Sequence, residues 1–140
     1  MVKLNGEDNW IIGKLDKMSD GDVIAGGSSS SGSDKIKIDD NLTLDAIGGT
    51  DGIVIKFSNT GEIKWVHLIG GDAADEIQSV KATSDGGALV GGYFWSPITI
   101  GNRTYYSNGQ TDAIIIKYDK NGEVEWVKTF GGNRDEDIYT

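Results

Sequence analysis

Two acidic segments are the first places in this sequence where chemistry could occur. Ser19-Asp20-Gly21-Asp22 and Asp119-Lys120-Asn121-Gly122-Glu123 carry the carboxylate and amide oxygens that calcium prefers. Calcium takes about six to eight oxygens, and helix–loop–helix calcium loops place their ligands at alternate positions before a final glutamate. Neither segment follows that spacing, and the same residue types are typical of hairpin turns. We therefore interpret both segments as turns, and the sequence predicts no metal site.

The single histidine and the many carboxylates do not form a recognisable catalytic set. His67 is matched by Lys128 at an offset of 61 residues, which predicts a solvated strand position. No serine, cysteine or aspartate recurs beside it, as a nucleophile system would require. Paired carboxylates in a cleft would suit glycoside hydrolysis, but the recurrence of Glu62 as Glu123 indicates a structural role. We predict no catalytic residue and no cofactor.

A group of aromatic residues is the most suggestive feature for ligand binding. These residues flank or lie within the segment 95–109, whereas the corresponding segment of the first half, 28–34, is polar. Large aromatic side chains are enriched at binding surfaces, and they also fill local cores. Ligand contact and packing therefore both stay open for Phe94, Trp95, Tyr105 and Tyr106.

Composition narrows the class of protein. The 140 residues include no cysteine, which excludes disulfides and cysteine-ligated zinc. A net charge of −9 argues against nucleic acid and anionic membranes, because no basic stripe is available to neutralise phosphates. No secretory signal is visible at the start, and no stretch of about 20 apolar residues could form a membrane helix. The 21 glycines with one proline fit many short strands joined by tight turns.

An internal repeat organises the sequence. Residues 48–79 align without gaps on residues 109–140 at an offset of 61, and 13 of the 32 positions are identical. A second stretch, residues 19–27, matches residues 84–92 at an offset of 65. The two offsets imply that a few residues were inserted or deleted in a loop, where such changes are tolerated.

Each repeat predicts four strands and no helix. Ile114–Ile116 is continuously apolar and predicts a strand covered on both faces. Asn121-Gly122 predicts a tight hairpin, because both residues tolerate positive φ. Pro97–Tyr106 predicts a short excursion between the second and third strands. In the first copy, Asp8–Lys17 lies where a first strand belongs but also resembles third-strand sequence. The strands of the second copy are predicted at Glu76–Thr83, Ala88–Phe94, Asp112–Tyr118 and Glu123–Phe130.

Tandem four-stranded units of about 61 residues predict an all-β fold of antiparallel β-propeller blades. We assign residues 1–7 to the end of a preceding blade, 8–71 to blade one, 72–132 to blade two and 133–140 to the start of a third. Trp65 and Trp126 are predicted to fill equivalent gaps between blades. Because a ring needs more blades than two, we expect either a piece of a longer protein or several copies in one ring.

The residues of the second copy carry a family resemblance. TSDGGALVGGY at 83–93 and TDAIIIKYDKNGEVEWVKTFGG at 111–132 resemble the SBBP repeats, the repeats of seven-bladed bacterial propellers. A weaker resemblance joins 58–65 and 119–126 to quinoprotein-type propeller repeats. The first resemblance implies a segment of a large exported or surface-attached bacterial protein.

Two classes of function follow from these observations. The first is a non-enzymatic, extracellular or cell-surface module that binds a protein or glycan, or acts as a spacer. Its partners would be the remaining blades of the same protein or copies of itself, without nucleic acid and without membrane insertion. The alternative is a fragment of a propeller enzyme, quinoprotein-like or carbohydrate-active. A chemically competent polar set would favour the enzyme, and the sequence reveals none, so we expect the first class.

Overall fold

The computed structural model describes residues 2–3, 9–30, 35–45, 50–71, 76–95, 97–100, 102–107 and 111–131. These residues form strands and turns, and none of them lies in a helix. The predicted start of a third blade at 133–140 lies outside the described residues. The strands are β1 (Val2–Lys3), β2 (Asn9–Lys17), β3 (Val23–Ser30), β4 (Lys35–Asp39), β5 (Leu42–Asp45), β6 (Thr50–Phe57), β7 (Ile63–Gly71), β8 (Glu76–Ala82), β9 (Ala88–Phe94), β10 (Ile98–Ile100), β11 (Arg103–Tyr105), β12 (Asp112–Tyr118) and β13 (Val124–Phe130).

The strands form two four-stranded antiparallel blades, which confirms the predicted fold class. Blade one pairs β2, β3, β6 and β7 in that order, and blade two pairs β8, β9, β12 and β13. The short strand β1 adds to the free edge of β2, so its hydrogen bonds attach it to the sheet of blade one.

Matching irregularities settle the ambiguous start of the first copy. The pairing of β2 with β3 shifts register between Ile12 and Lys14, and that of β8 with β9 shifts between Ile77 and Ser79. The two bulges are related by the 65-residue offset, so residues 9–17 form a regular first strand. The additional residue in this segment is the bulge residue of β2, and β8 of blade two has a bulge at the equivalent position.

Four hairpin turns at one end of the blades share one geometry. In each turn an amide hydrogen bond spans four residues, as in Gly122 N to Asp119 O at 3.0 Å, and a wider bond closes the loop, as in Asp119 N to Glu123 O at 2.8 Å. Lys120 and Asn121 are therefore the central residues, and Gly122 follows them at φ +82°. The hairpin predicted at Asn121-Gly122 is present, but its turn begins one residue earlier than a two-residue loop would.

Each blade carries a two-stranded excursion between its second and third strands. In blade two this excursion is β10–β11, as predicted. Strand β10 also pairs with β7, the outer strand of blade one, and so extends the sheet of that blade. In blade one it is β4–β5, which forms a separate two-stranded sheet. The sequence comparison matched the excursion of blade two to the polar segment 28–34, but the excursion of blade one lies later, at 35–45, and alternates apolar with polar residues.

The apolar core lies mainly between the blades. Ile24 and Val54 of blade one pack with Val90, Ile114 and Ile116 of blade two. The other face of blade one, with Ala25, Ile53 and Ile55, forms a separate cluster under the β4–β5 hairpin. Because neighbouring residues on a strand point to opposite faces, one face of blade one meets blade two and the other meets the hairpin.

Candidate functional site: the seam between the blades

The turn end of the blade interface, here called the seam, is held by a buried lysine from β6. The Lys56 side chain is only 3 % exposed. Its ammonium donates to the backbone oxygen of Gly86 at 2.9 Å and to that of Lys120 at 3.4 Å. Both oxygens belong to turns of blade two, so this cation of blade one binds the backbone of its neighbour. Such charge-assisted bonds are stronger than bonds between neutral groups.

A buried carboxylate lies beside Lys56. Asp22 accepts a hydrogen bond from the Lys64 ammonium at 2.6 Å and another from the backbone N–H of Asn59 at 3.1 Å, and it lies 3.8 Å from the Lys56 ammonium. The Lys64 hydrogen bond holds the pKa of Asp22 below its usual value, and the same bond raises the pKa of Lys64. The pair is therefore ionised at neutral pH.

Three stacked rings form the next layer of the seam. His67 of β7 stacks on Tyr118 of β12 with ring centroids 5.0 Å apart and an interplanar angle of 8°. Trp65 tilts against both rings, at 5.3 Å and 5.5 Å. A Cβ placed on Gly122 would lie 2.7 Å from the Trp65 ring, so only glycine leaves room for the indole. Burial raises the pKa of the Tyr118 phenol.

Both ring nitrogens on the β7 side of the seam contact blade two. The Nε1–H of Trp65 donates to the backbone oxygen of Lys120 at 3.3 Å, and Nε2 of His67 lies 2.6 Å from the backbone oxygen of Gly122. A carbonyl oxygen can only accept, so Nε2 of His67 carries a proton. The prediction of a solvated His67 was wrong, because the repeat partner Lys128 does not share this stacked environment.

In blade two the lysine that corresponds to Lys56 has different partners. Lys117 donates to Asp85 at 3.0 Å, to Glu125 at 3.1 Å and to the backbone oxygen of Tyr118 at 2.9 Å. Burial lowers the pKa of Lys117, but the hydrogen bonds to the two carboxylates outweigh it and raise that pKa. The pKa of Asp85 is lowered by hydrogen bonds from the Thr83 hydroxyl, from the backbone N–H of Gly87 and from Lys117.

Two cavities flank the ring stack. A polar cleft of about 580 Å³ lies among the turns and is lined by Asp20, Lys64, Trp65 and Asp85, among others. A groove of about 810 Å³ lies on the far side, between β7, the β10–β11 hairpin and the turn before β13, and is lined by His67 and other residues. Trp65 lines the cleft, and His67 and Tyr118 line the groove.

The structure divides the four aromatic candidates. Phe94 is completely buried and belongs to the core between the blades, and Tyr105 packs against the same cluster. Trp95 is 46 % exposed and Tyr106 is 69 % exposed. Only these last two present substantial surface to a ligand.

The two predicted inter-blade tryptophans also differ. Trp65 fills the gap beside Gly122, as expected. Trp126, its equivalent, is 43 % exposed on the face of blade two that points away from blade one.

Sequence reasoning missed the charged residues of the seam, although the repeat contained a signal for them. Asp22 of blade one corresponds to Gly87, and Lys64 corresponds to Glu125. Both changes occur together, and in each blade the outcome is a compensated ion pair. Because both positions change between the blades and the changes involve charge, the comparison could have suggested that the side chains at these two positions contact each other.

The charged and aromatic side chains of the seam contact one another or backbone oxygens. No three residues of the metal-binding types His, Cys, Asp and Glu gather into a site within the described part of the chain. The cations are engaged by carboxylates or backbone oxygens, and the imidazole by a carbonyl. Within the same residues, no helix is long and apolar enough to cross a membrane.

Comparison with known proteins supports a repeat-type propeller. No family model matches the sequence. The chain is 27% identical, over an alignment of 96 positions, to an uncharacterized WD repeat-containing protein, L264, of Acanthamoeba polyphaga mimivirus. The alignment covers 61% of this chain and 7% of that much longer relative. This distant similarity agrees with the tandem blades of the structure.

Proposed function

We propose that the chain is a pair of propeller blades that serves as a structural or binding module and not as an enzyme. The observation that carries the proposal is what the side chains of the seam contact. The Lys56 ammonium, the Trp65 indole and the His67 imidazole all contact backbone oxygens of blade two. Groups committed to holding the blades together are not available as acids, bases or nucleophiles.

The wider setting of the module is proposed from the repeat motifs. Their resemblance to SBBP repeats supports a bacterial propeller that is secreted or displayed at the cell surface. The remaining blades of such a protein would be the first partners of this chain. A protein or glycan ligand is the second, and the exposed rings of Trp95 and Tyr106 support contact with it.

Binding and turnover assays on the purified chain test this function. We expect the chain to retain members of a glycan or peptide array, and Trp95→Ala or Tyr106→Ala to weaken that retention. Leu15→Ala is the matched control, because Leu15 is 65 % exposed but lies on blade one. We expect no hydrolysis of aryl glycosides and no quinone-dependent oxidation of sugars or alcohols. Turnover that disappears when Asp20 or Asp85 in the polar cleft is replaced would contradict the proposal.

A further inference from the structure

The two excursion hairpins occupy equivalent positions in their blades but make different contacts. Strand β10 of blade two extends blade one, because Ile98 pairs with Gly71 and Thr99 with Gly70. The β4–β5 hairpin of blade one pairs with no third strand among the described residues. It instead lies over the face of its own blade, with Ile38 only 3 % exposed. One hairpin fastens two blades, and the other covers one.

The face under the β4–β5 hairpin has an equivalent that binds a blade. Ala25, Ile53 and Ile55 correspond to Val90, Ile114 and Ile116, which in blade two pack against blade one. The hairpin therefore occupies, on blade one, the place that a whole blade occupies on blade two.

The outer edge of blade two presents a complementary face. Strand β13 is an edge strand among the described residues, and it carries Trp126 at 43 % exposure and Phe130 at 47 %. These residues correspond to Trp65 and Ile69, through which β7 contacts blade two. Exposed apolar side chains on an unpaired strand edge favour association.

Blade one also has an unfilled space beside Gly61, here called the seat, that would accommodate such a tryptophan. Trp65 lies against Gly122, whose added Cβ would meet the indole, whereas an added Cβ at the equivalent Gly61 meets nothing within 4 Å. Both glycines have positive φ, +82° and +90°, so the two turns present the same backbone shape. The seat beside Gly61 is thus built like the occupied one.

We propose that blade two of one copy docks on blade one of a second copy, with Trp126 entering the seat beside Gly61. In this docking the β4–β5 hairpin leaves its own blade and pairs with β13, as β10 pairs with β7. The contact is head-to-tail, so the same surface never meets itself. The inference rests on the structural role proposed above, but enzymatic turnover would overturn that role without affecting this contact.

Engineered cysteines test the geometry directly, because the chain has none of its own. Lys128→Cys corresponds to His67, and Thr60→Cys lies next to Gly61, so the two positions meet across the proposed contact. With a short bis-maleimide, we expect cross-linked dimers when the two single-cysteine proteins are mixed and almost none from either alone. Cross-linking of Lys128→Cys with itself, or no cross-linking of the mixture, would overturn the proposal.

Sedimentation of the full chain at increasing concentration gives the second readout. We expect Trp126→Ala to weaken self-association about tenfold or more while leaving the melting temperature at low concentration unchanged. Leu44→Ser loosens the hairpin from its blade and should strengthen association several-fold. A monomer at all concentrations, or a Leu44→Ser chain that associates no better than the wild type, would refute the docking or the hairpin movement respectively.

Discussion

Lys56 and Lys117 occupy the same position in their blades, yet they bind different partners. Lys56 donates to backbone oxygens of the other blade, and its nearest carboxylate, Asp22, is shared with Lys64. Lys117 is held within blade two by Asp85 and Glu125. The lysine is thus common to both blades, whereas the carboxylates around it depend on what lies against it. A buried ammonium needs carboxylates or backbone oxygens as partners, and each lysine finds them among the groups that surround it.

The largest expected difference between the blades is in their tryptophans. Trp65→Ala removes the indole packed against Gly122 and Tyr118, and such large-to-small changes cost about 3–5 kcal/mol in the free energy of unfolding. Trp126→Ala removes a half-exposed ring and should cost less than about 1 kcal/mol. Urea titration of both variants at low concentration measures the two values. Equal costs would show that the two positions are packed alike, against the structure.

A transplant of the charge pattern of blade two into blade one should have an intermediate effect. Lys64→Glu places a second carboxylate beside the buried Asp22 and should lower the urea midpoint. Adding Asp22→Gly to Lys64→Glu recreates the Gly87 and Glu125 arrangement around Lys56 and should restore part of the loss. The interaction between the two changes is measured with a double-mutant cycle.

The reverse transplant provides the control for that cycle. Glu125→Lys removes a carboxylate from Lys117, and we expect Gly87→Asp not to rescue it. A Cβ at Gly87 would lie 2.1 Å from the backbone oxygen of Tyr118, so the backbone has no room for the added carboxylate. Rescue in both directions would mean that the two blades are interchangeable at this position.

The smallest expected effect is the pH dependence of the Asp22–Lys64 pair. The lowered pKa of Asp22 stabilises the fold above the ordinary value of 3.8, and this contribution is lost as the pH falls through the folded-state pKa. The raised pKa of Lys64 stabilises the fold below the ordinary value of 10.5, and its contribution is lost as the pH rises through the folded-state pKa. The stability difference between the wild type and Lys64→Ala should therefore be constant near neutral pH and shrink at both extremes. A difference that does not change down to pH 2 would exclude ionised Asp22 as its cause.

Most features that the sequence predicted recur in both copies, and most features that it missed do not. The strands, the turn glycines and the packing of Trp65 follow from periodicity and from identity between the copies. The β4–β5 hairpin was not predicted, because its sequence has no counterpart at a fixed offset. The seam charges escaped for a related reason. Asp22 and Lys64 are far apart in sequence and become partners only when β3 and β6 bring their turns together.

Glycine and aspartate illustrate what identity between copies can and cannot reveal. Gly70 and Gly131 recur, and the structure shows the cause, since an added Cβ would lie 2.2 Å from the Asp51 carboxylate or 1.9 Å from that of Asp112. Asp51 and Asp112 are both about 1 % exposed. Recurrence of the two residue types was visible in the sequence, but only the cross-strand geometry shows that each aspartate requires its glycine.

The exchange of charge between Lys64 and Glu125 also bears on how tandem copies find their own partners during synthesis. Similar neighbouring strands invite mispairing, in which a strand of one blade completes the sheet of the other. If β7 paired with β12, Lys64 would lie where Glu125 lies and would face the Lys117 ammonium. If β13 paired with β6, Glu125 would face the Asp22 carboxylate. Both errors bring like charges together, so the charge pattern disfavours these two mispairings.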